Sequence, residues 1–165
     1  MRPIDMIVIH QTDTPTATVE SIDRYHRSLG WAGIAYHYVI YRDGSVHKGR
    51  LNSEVGAHCK GDNAPSIGIC CVGKGTALPV GAGYMNQAMW DALLRLVDQL
   101  ISAYHIPVSR VVGHRERLSG REQGKTCPGF DVDTIRYRLN EERAARCPVV
   151  HGSDPRGIDV EPRVT

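Results

Sequence analysis

The sequence lacks a strong charge of either sign and has no long apolar run. Its 165 residues carry a formal net charge of +2 without a dense block of lysine and arginine, a composition that argues against nucleic acid as a partner. No stretch approaches the roughly 20 apolar residues of a membrane-spanning helix. The apolar run at residues 6–9 is also too short for the core of a signal peptide. We therefore expect a protein that is made in the cytoplasm and does not insert into a membrane.

The cysteines do not follow the spacing of a small disulfide-stabilised scaffold. There are five of them, an odd number, and the neighbours Cys70 and Cys71 would point to opposite faces of a strand. We expect a reducing compartment at synthesis, with one functional cysteine and the others mostly packed in the interior. The full set is Cys59, Cys70, Cys71, Cys127 and Cys147.

Length and composition indicate one domain. A chain of 165 residues can bury roughly two-thirds of its unfolded surface in a single core. A content of 41% hydrophobic and 23% charged residues is ordinary for a globular protein, and we find no internal repeat or low-complexity tract. Residues 1–149 are expected to form the domain. Residues 150–165 are poor in apolar side chains and contain two prolines, which predicts a flexible C-terminal tail.

Strand-like and helix-like segments alternate along the chain. Short apolar runs rich in β-branched residues predict buried strands, and apolar residues at helical spacing predict amphipathic helices. The pair Asp43-Gly44 predicts a tight hairpin between two of the strands. The pattern indicates an α/β fold, a single domain with a central mixed β-sheet flanked by helices. The expected strands span residues 6–9, 34–41, 46–48, 66–72 and 110–112, and the expected helices span residues 18–29, 86–104 and a last segment that begins at residue 130.

Two of these segments carry expectations about individual side chains. In the strand at residues 34–41, simple alternation places Tyr36 on the same face as Tyr38 and Ile40. In the last helix, helical spacing predicts which residues pack inward. They are Val132, Ile135, Tyr137 and Leu139.

One loop carries a histidine, a lysine and a cysteine. His114 follows a short apolar run, and Lys125 and Cys127 come soon after it. Imidazole nitrogen and thiolate sulfur are ligands that Zn²⁺ accepts readily. Lys125 is expected to help hold Cys127 as a thiolate, because a nearby cation favours the charged form of the sulfur. The turn at Pro128-Gly129 would present that sulfur from a fixed backbone.

A third ligand is offered by His10, at the end of the first strand. Side chains at strand ends gather at the rim of an open α/β sheet, where ligands bind. Two imidazoles and one thiolate leave the fourth tetrahedral position to water, which is the arrangement of a catalytic zinc site. Zinc in such a site lowers the pKa of water and polarises a carbonyl group. The spacing alone also allows a His10 that merely caps its strand.

Five motifs stand in the order that is typical of one enzyme family. The chain resembles the zinc-dependent N-acetylmuramoyl-L-alanine amidases of the type shared by T7 lysozyme and the peptidoglycan recognition proteins, also called type 2 amidases. The resemblance runs from about residue 6 to the last helix, and the ordered set is highly specific. The motifs are Ile7-Val8-Ile9-His10, Gly30-Trp31 with Ile34-Ala35-Tyr36-His37-Tyr38-Val39-Ile40, Arg42-Asp43-Gly44-Ser45-Val46, Gly56-Ala57-His58 with Gly61-Asp62-Asn63 and Ser66-Ile67-Gly68-Ile69, and His114-Arg115-Glu116 with Lys125-Thr126-Cys127-Pro128-Gly129.

The resemblance implies a zinc site and a catalytic pair. One zinc ion per chain would be bound by His10, His114 and Cys127. Tyr36 and Lys125 match the catalytic positions of the family. A phenol and an ammonium group can each donate to the oxygen that becomes negative during amide hydrolysis. Either group could also pass a proton to the leaving amine.

Other matching positions have less direct roles. His58 matches a position in the substrate groove of the family, which implies substrate binding. Trp31 and Asn63 also match, and we interpret them as loop packing and as a turn-stabilising amide. The alternatives for the catalytic pair are a core aromatic at Tyr36 and a solvated loop charge at Lys125, and the joint match disfavours both.

The identity of the third ligand separates branches of this family. Recognition proteins that bind peptidoglycan without cutting it typically lack the ligand at Cys127, and relatives that recycle cytoplasmic muropeptides typically carry aspartate there. The resemblance at Cys127 is therefore to the wall-cleaving members. The loop between His114 and Cys127 looks longer than in T7 lysozyme.

The implied function is hydrolysis of the amide that joins N-acetylmuramic acid to L-alanine in bacterial peptidoglycan. The expected absence of a signal peptide and of a separate wall-binding domain suits a phage or prophage endolysin. Such a protein is made in the host cytoplasm, released to the wall with the help of a holin, and expected to act as a monomer. The alternatives are a non-catalytic peptidoglycan-binding protein, a regulator of a phage RNA polymerase and a cytoplasmic muropeptide-recycling amidase.

Overall fold

A five-stranded mixed sheet runs through the centre of the fold. The computed structural model describes residues 2–75 and 83–146, so Cys147 and the expected tail at residues 150–165 lie outside the described residues. The strands are β1 (Met6–Gln11), β2 (Tyr38–Ile40), β3 (Val46–Lys48), β4 (Ser66–Cys71) and β5 (Val111–Gly113). Their order in the sheet is β3-β2-β4-β1-β5, with an antiparallel β2–β3 hairpin and parallel pairing between the other neighbours. The predicted fold class is confirmed.

Helices lie on both faces of this sheet. Helices α2 (Gln87–Tyr104) and α4 (Asp133–Arg146) pack on one face, where their apolar side chains join those of the strands in a single large cluster. Helix α1 (Val19–Ser28) packs on the other face through Ile22. A short helix, α3 (Leu118–Glu122), lies in the loop that leads to Cys127. In the parts of the chain that the structure describes, no helix is both long and apolar enough to cross a bilayer.

The side chains of the two central strands alternate between different environments. Ile9 belongs to the large apolar cluster with α2 and α4, whereas Val8 belongs to a smaller cluster on the opposite face. Strands β1 and β4 are parallel and in register, with Val8 opposite Gly68. Because side chains of a strand alternate with a period of two, His10 and Ser66 project from the same face as Val8.

The neighbouring cysteines of β4 point to opposite faces, as predicted. Cys71 belongs to the cluster formed with α2 and α4. Cys70 lies near Tyr36 on the other face, and both thiols are fully buried. The cysteines within the described ranges are free thiols.

Helices α1 and α2 begin at capping residues. The Thr18 hydroxyl accepts a hydrogen bond from the Ser21 amide, and the Ser21 hydroxyl accepts one from the Thr18 amide, which forms a reciprocal cap. Gly30, with a φ of +83°, follows the end of α1. The side-chain oxygen of Asn86 accepts from the Met89 amide at the start of α2. The predicted bounds of both helices are confirmed to within one residue.

The strand predicted at residues 34–41 is shorter in the structure, and the face predicted for Tyr36 is wrong. The consecutive amides of Gly49 and Arg50 donate to the consecutive carbonyls of His37 and Tyr36, a pattern that regular antiparallel pairing does not have. The two-residue alternation is therefore interrupted before Tyr38. Tyr36 packs with Val39 on the face covered by α1, whereas Tyr38 packs against the cluster with α2 and α4.

The last helix also differs from the prediction. It begins at Asp133 rather than near residue 130. Ile135 and Leu139 are fully buried as predicted, but Tyr137 is 66% exposed, so its predicted inward packing is wrong. Two residues correspond to about 200° of rotation around a helix, and this rotation carries Tyr137 away from the side that Ile135 buries.

Candidate metal centre and catalytic cleft

A cleft of about 860 Å³ opens on the sheet face that carries His10. The end of β1, helix α1, the loop after β3 and the loop after α3 contribute to its wall. The structure brings all of the sequence-predicted site residues to this cleft. They are His10, Tyr36, His58, His114, Lys125 and Cys127.

His10 and His114 are neighbours because the strands that lead to them are neighbours. Strands β1 and β5 run parallel with Ile9 opposite Gly113, so the residue that follows each lies at the same edge of the sheet. The centroids of the two imidazole rings are 4.7 Å apart. Strand pairing thus assembles two ligands that are far apart in sequence.

Cys127 completes a group of three. His10, His114 and Cys127 each offer one ligand atom, and these three atoms lie within 4.8 Å of one another. This spacing is close enough for the three side chains to bind a single metal ion. The Cys127 carbonyl accepts a hydrogen bond from the Arg115 amide at 3.0 Å, which ties the loop to the turn that carries His114. The peptide bond between Cys127 and Pro128 is cis.

The environment of the two histidines favours their neutral forms. Burial, followed by the charges of His58, His114 and Lys125, lowers the pKa of His10 well below its ordinary value. Burial, followed by the charge of Lys125, lowers the pKa of His114. A neutral imidazole is the form that ligates a metal. The two histidines therefore fit a metal ion in charge state as well as in spacing.

Lys125 lies exposed at the edge of the cleft. Its amide donates to the Gly120 carbonyl at 2.8 Å, which anchors the residue to α3. Burial raises the pKa of the Cys127 thiol, and the positive charge of Lys125 offsets this only in part. Lys125 thus acts on the pKa of Cys127 in the predicted direction, but desolvation outweighs the lysine and the thiol form is still favoured. A metal ion itself favours loss of the thiol proton.

Tyr36 lies beside the group of three. Its ring centroid is 5.2 Å from that of His10, and the side chain is half-buried. Burial, followed by the nearby thiols of Cys70 and Cys127, raises the pKa of Tyr36 well above its ordinary value. The phenol therefore keeps its proton at neutral pH and can act as a hydrogen-bond donor.

His58 contacts His10 directly. Its Nδ1 lies 3.0 Å from Nε2 of His10, and its Nε2 lies 3.3 Å from the Ser66 hydroxyl. The ring lines the cleft but is only 7% exposed. Asn63 stabilises this loop as we interpreted it, because its side-chain oxygen accepts from the amides of His58 and Cys59, both at 2.8 Å.

The residues that sequence reasoning missed are Ser66, Ser119 and His26. The Ser119 hydroxyl in α3 lies 3.4 Å from Nε2 of His114. His26 lines the cleft, and its ring centroid is 4.8 Å from that of Trp31, which lines the cleft as well. A lone hydroxyl at the start of an apolar strand is a signal that could have pointed to Ser66. The local pattern offers no comparable signal for the other two.

Comparisons with known proteins agree with this geometry. A family described as N-acetylmuramoyl-L-alanine amidase matches residues 1–130. The endolysin of Escherichia phage T7 is 34% identical over 131 residues, which span 78% of this chain and 82% of the phage protein.

Solved structures lead to the same family. The N-acetylmuramoyl-L-alanine amidase LysC from Clostridium intestinale superimposes with a TM-score of 0.72 at 30% identity, covering 84% of this chain and 87% of that protein. The Drosophila peptidoglycan recognition protein PGRP-LB superimposes with a TM-score of 0.59 at 25% identity, covering 79% and 85%. The family match spans most of the chain, and the relatives extend over similar parts of it. The protein therefore belongs to the N-acetylmuramoyl-L-alanine amidase family.

Proposed function

We propose that this peptidoglycan amidase depends on zinc and hydrolyses the amide between N-acetylmuramic acid and L-alanine, as a phage-type endolysin. The observation that carries the proposal is that His10, His114 and Cys127 converge beside Tyr36 and Lys125 on one cleft. Two imidazoles and a thiolate are a donor set of catalytic zinc sites, which keep one coordination position open for water or substrate.

Zinc held by these three residues would supply a Lewis acid that polarises the scissile carbonyl and lowers the pKa of water. The protein supplies the arrangement of the ligands. Strand pairing sets the positions of His10 and His114. His58 contacts Nε2 of His10, and Ser119 contacts Nε2 of His114. Such outer contacts orient ligand rings.

Tyr36 and Lys125 supply donors on the protein side. In amide hydrolysis the oxygen of water bonds to the carbonyl carbon, the carbon–nitrogen bond breaks, and the departing nitrogen takes up a proton. The Tyr36 hydroxyl and the Lys125 ammonium group can each donate to the carbonyl oxygen as negative charge develops there. Either group can deliver the proton that the leaving amine requires.

The phage-type role rests on relatives such as the T7 protein, which is named an endolysin. In this role the protein is made in the host cytoplasm, reaches the wall with the help of a holin and acts as a monomer without a nucleic-acid partner. We assign the catalytic domain to residues 1–149.

Isolated peptidoglycan sacculi provide the test. The purified protein is incubated with sacculi, and newly exposed N-terminal alanine is measured. We expect release with zinc present, loss of release after treatment with a chelator and recovery when zinc is restored. Release that survives complete metal removal would contradict zinc dependence, and absence of alanine release in the presence of zinc would contradict the proposed bond.

Two variants examine the donors. Tyr36→Phe and Lys125→Met should each lower kcat by about 10²-fold or more, since each removes one donor to the reacting amide. Zinc content and binding to sacculi should stay unchanged, and a loss of zinc instead would show that the side chain acts on the metal site.

The same assay separates the rival functions. A non-catalytic binding protein would bind sacculi without releasing alanine. A muropeptide-recycling amidase cleaves soluble anhydro-muropeptides faster than sacculi. A polymerase regulator inhibits transcription by the phage RNA polymerase in a reconstituted reaction, which we do not expect here.

A further inference from the structure

A chain of hydrogen-bonding groups leads from His10 into the protein. Nε2 of His10 lies 3.0 Å from Nδ1 of His58, and Nε2 of His58 lies 3.3 Å from the Ser66 hydroxyl. The Ser66 hydroxyl in turn donates to the backbone carbonyl of Asp62 at 2.5 Å. The groups are buried, with exposures of 1% for His10, 7% for His58 and 0% for Ser66. The chain is therefore shielded from competing water.

The carbonyl at the end of this chain sets the direction of each hydrogen bond. A carbonyl oxygen only accepts, so the Ser66 hydroxyl donates its hydrogen to the Asp62 carbonyl and accepts a hydrogen bond from Nε2–H of His58. A neutral imidazole with its hydrogen on Nε2 has a lone pair on Nδ1. Nδ1 of His58 therefore accepts from Nε2–H of His10. This direction leaves the lone pair of His10 on Nδ1.

The backbone around His58 restricts its ring to this position. A Cβ atom at Gly68 would lie 2.5 Å from the ring, and one at Gly56 would lie 2.5 Å from it as well. Real Cβ atoms do not approach this closely, so glycine at both positions lets the ring fit between them. The amide of His58 is held by Asn63 at 2.8 Å. The ring is confined by packing and by hydrogen bonds at the same time.

We propose that His58 and Ser66 are positioning residues that orient His10 so that its Nδ1 faces the metal. This role replaces the substrate-binding role implied for His58 by its family position, and it rests on the proposed function in that His10 serves as a metal ligand. A partner on the second nitrogen of a ligating histidine fixes both the tautomer and the ring orientation, and its loss typically costs 10–100-fold in metal affinity.

The tautomers can be measured without any variant. Long-range ¹⁵N spectra of histidine-labelled wild-type protein, with and without zinc, report which ring nitrogen carries hydrogen. We expect hydrogen on Nε2 of both His10 and His58, and Nδ1 of His10 as the zinc-bound nitrogen. Hydrogen on Nδ1 of His10, or zinc bound through its Nε2, overturns the proposal.

Substitutions in this hydrogen-bonded series can be tested by zinc affinity, measured by competition with a chromophoric chelator. His58→Leu removes both the acceptor and the donor, whereas His58→Gln keeps one of each. We expect His58→Leu to weaken zinc binding by about 10–100-fold and His58→Gln to weaken it less. Equal zinc affinity in the wild type and both variants, together with a raised KM in the variants, would restore the substrate-binding role of His58.

Ser66→Ala removes the acceptor for His58 and should lower zinc affinity by several-fold. Ser28→Ala is the matched control, because the Ser28 hydroxyl donates to the Tyr25 carbonyl at the exposed end of α1. Ser28→Ala should bind zinc like wild type. If Ser66→Ala also does, with His10 keeping its hydrogen on Nε2, the proposed role of Ser66 is wrong. A wild-type protein that binds no zinc would instead contradict the proposed function, whatever its tautomers.

Discussion

The two faces of the central sheet are built from the same strands but differ in chemistry. The face that contacts α2 and α4 carries residues such as Ile7, Ile9 and Ile69, which join one continuous apolar cluster. The opposite face carries His10 and Ser66, near the cleft. The apolar face is closed by long helices, whereas loops and the shorter α1 cover much of the other. Alternation along each strand thus separates the residues that stabilise the fold from those that perform chemistry.

This comparison indicates how polar groups are tolerated on a buried face. Within the described ranges, no buried side-chain nitrogen or oxygen lacks a hydrogen-bond partner. An unsatisfied buried polar group costs about 1–3 kcal/mol, so a face that carries several histidines depends on complete pairing. The apolar face depends on tight packing instead. Substitutions on the two faces should therefore fail in different ways.

The largest effect should come from Cys127→Ala. Removal of a proposed metal ligand should lower kcat/KM by about 10³-fold or more, beyond the 10–100-fold typical of residues that only contact a ligand. Stability in the presence of a chelator should change little, because the side chain is only half-buried. Sacculus cleavage and thermal unfolding measure the two quantities. The matched control is Cys71→Ala on the apolar face, which should lose stability and keep its activity per folded molecule.

Leu93→Ala should cause a large loss of stability without loss of catalytic activity per folded molecule. Leu93 in α2 is fully buried in the apolar cluster, and truncation of such a leucine costs about 2–5 kcal/mol. Urea unfolding at constant pH measures this cost. Tyr137→Ala on the exposed side of α4 is the control and should change the free energy of unfolding by less than about 0.5 kcal/mol. A similar loss in both variants would contradict the assignment of the packed face.

A pH dependence of stability should come from His37, which lies on the sheet face that loops and α1 cover. Burial, together with the charges of Arg2, Lys48 and Arg50, lowers the pKa of His37 to about 4. The unfolded chain takes up a proton near pH 6.5 and the folded protein does not, so stability falls as the pH drops from about 6.5 to 4. The total loss is on the order of 3 kcal/mol.

The free energy of unfolding between pH 7 and 4.5 measures this slope, with His37→Gln as the comparison. The variant should show a flatter dependence on pH whatever its absolute stability. An identical slope in both proteins would show that another group causes the pH dependence.

The smallest effect should come from the cap of α2. Asn86→Ala removes the acceptor for the Met89 amide and the donor to the Arg42 carbonyl, which should cost about 1 kcal/mol. Asn86→Asp keeps the first of these bonds and should cost less. Chemical unfolding measures both, and kcat should not change in either. A loss of activity at equal stability would mean that the hairpin beside α2 affects the cleft.

The local pattern of the sequence was sufficient for most elements of the fold. Apolar runs identified β1 and β4, and capping residues set the ends of α1 and α2. Local pattern failed where irregular hydrogen bonding interrupted the alternation of a strand, as at Tyr36. It also failed at Tyr137, where the rotation of the helix outweighed the apolar character of the residue.

For the site, residue chemistry was enough to suggest which side chains could bind a metal, because few residue types offer neutral nitrogen or thiolate sulfur. The role of His58 was different. Its contacts with His10 and Ser66 join residues separated by 48 and 8 positions. The pairing of β1 with β4 and the path of the loop that carries His58 bring them together. The direction of a hydrogen bond depends on which groups meet in space and on which of them can only accept. The sequence identifies the candidate ligands, and only the folded chain determines how they are oriented.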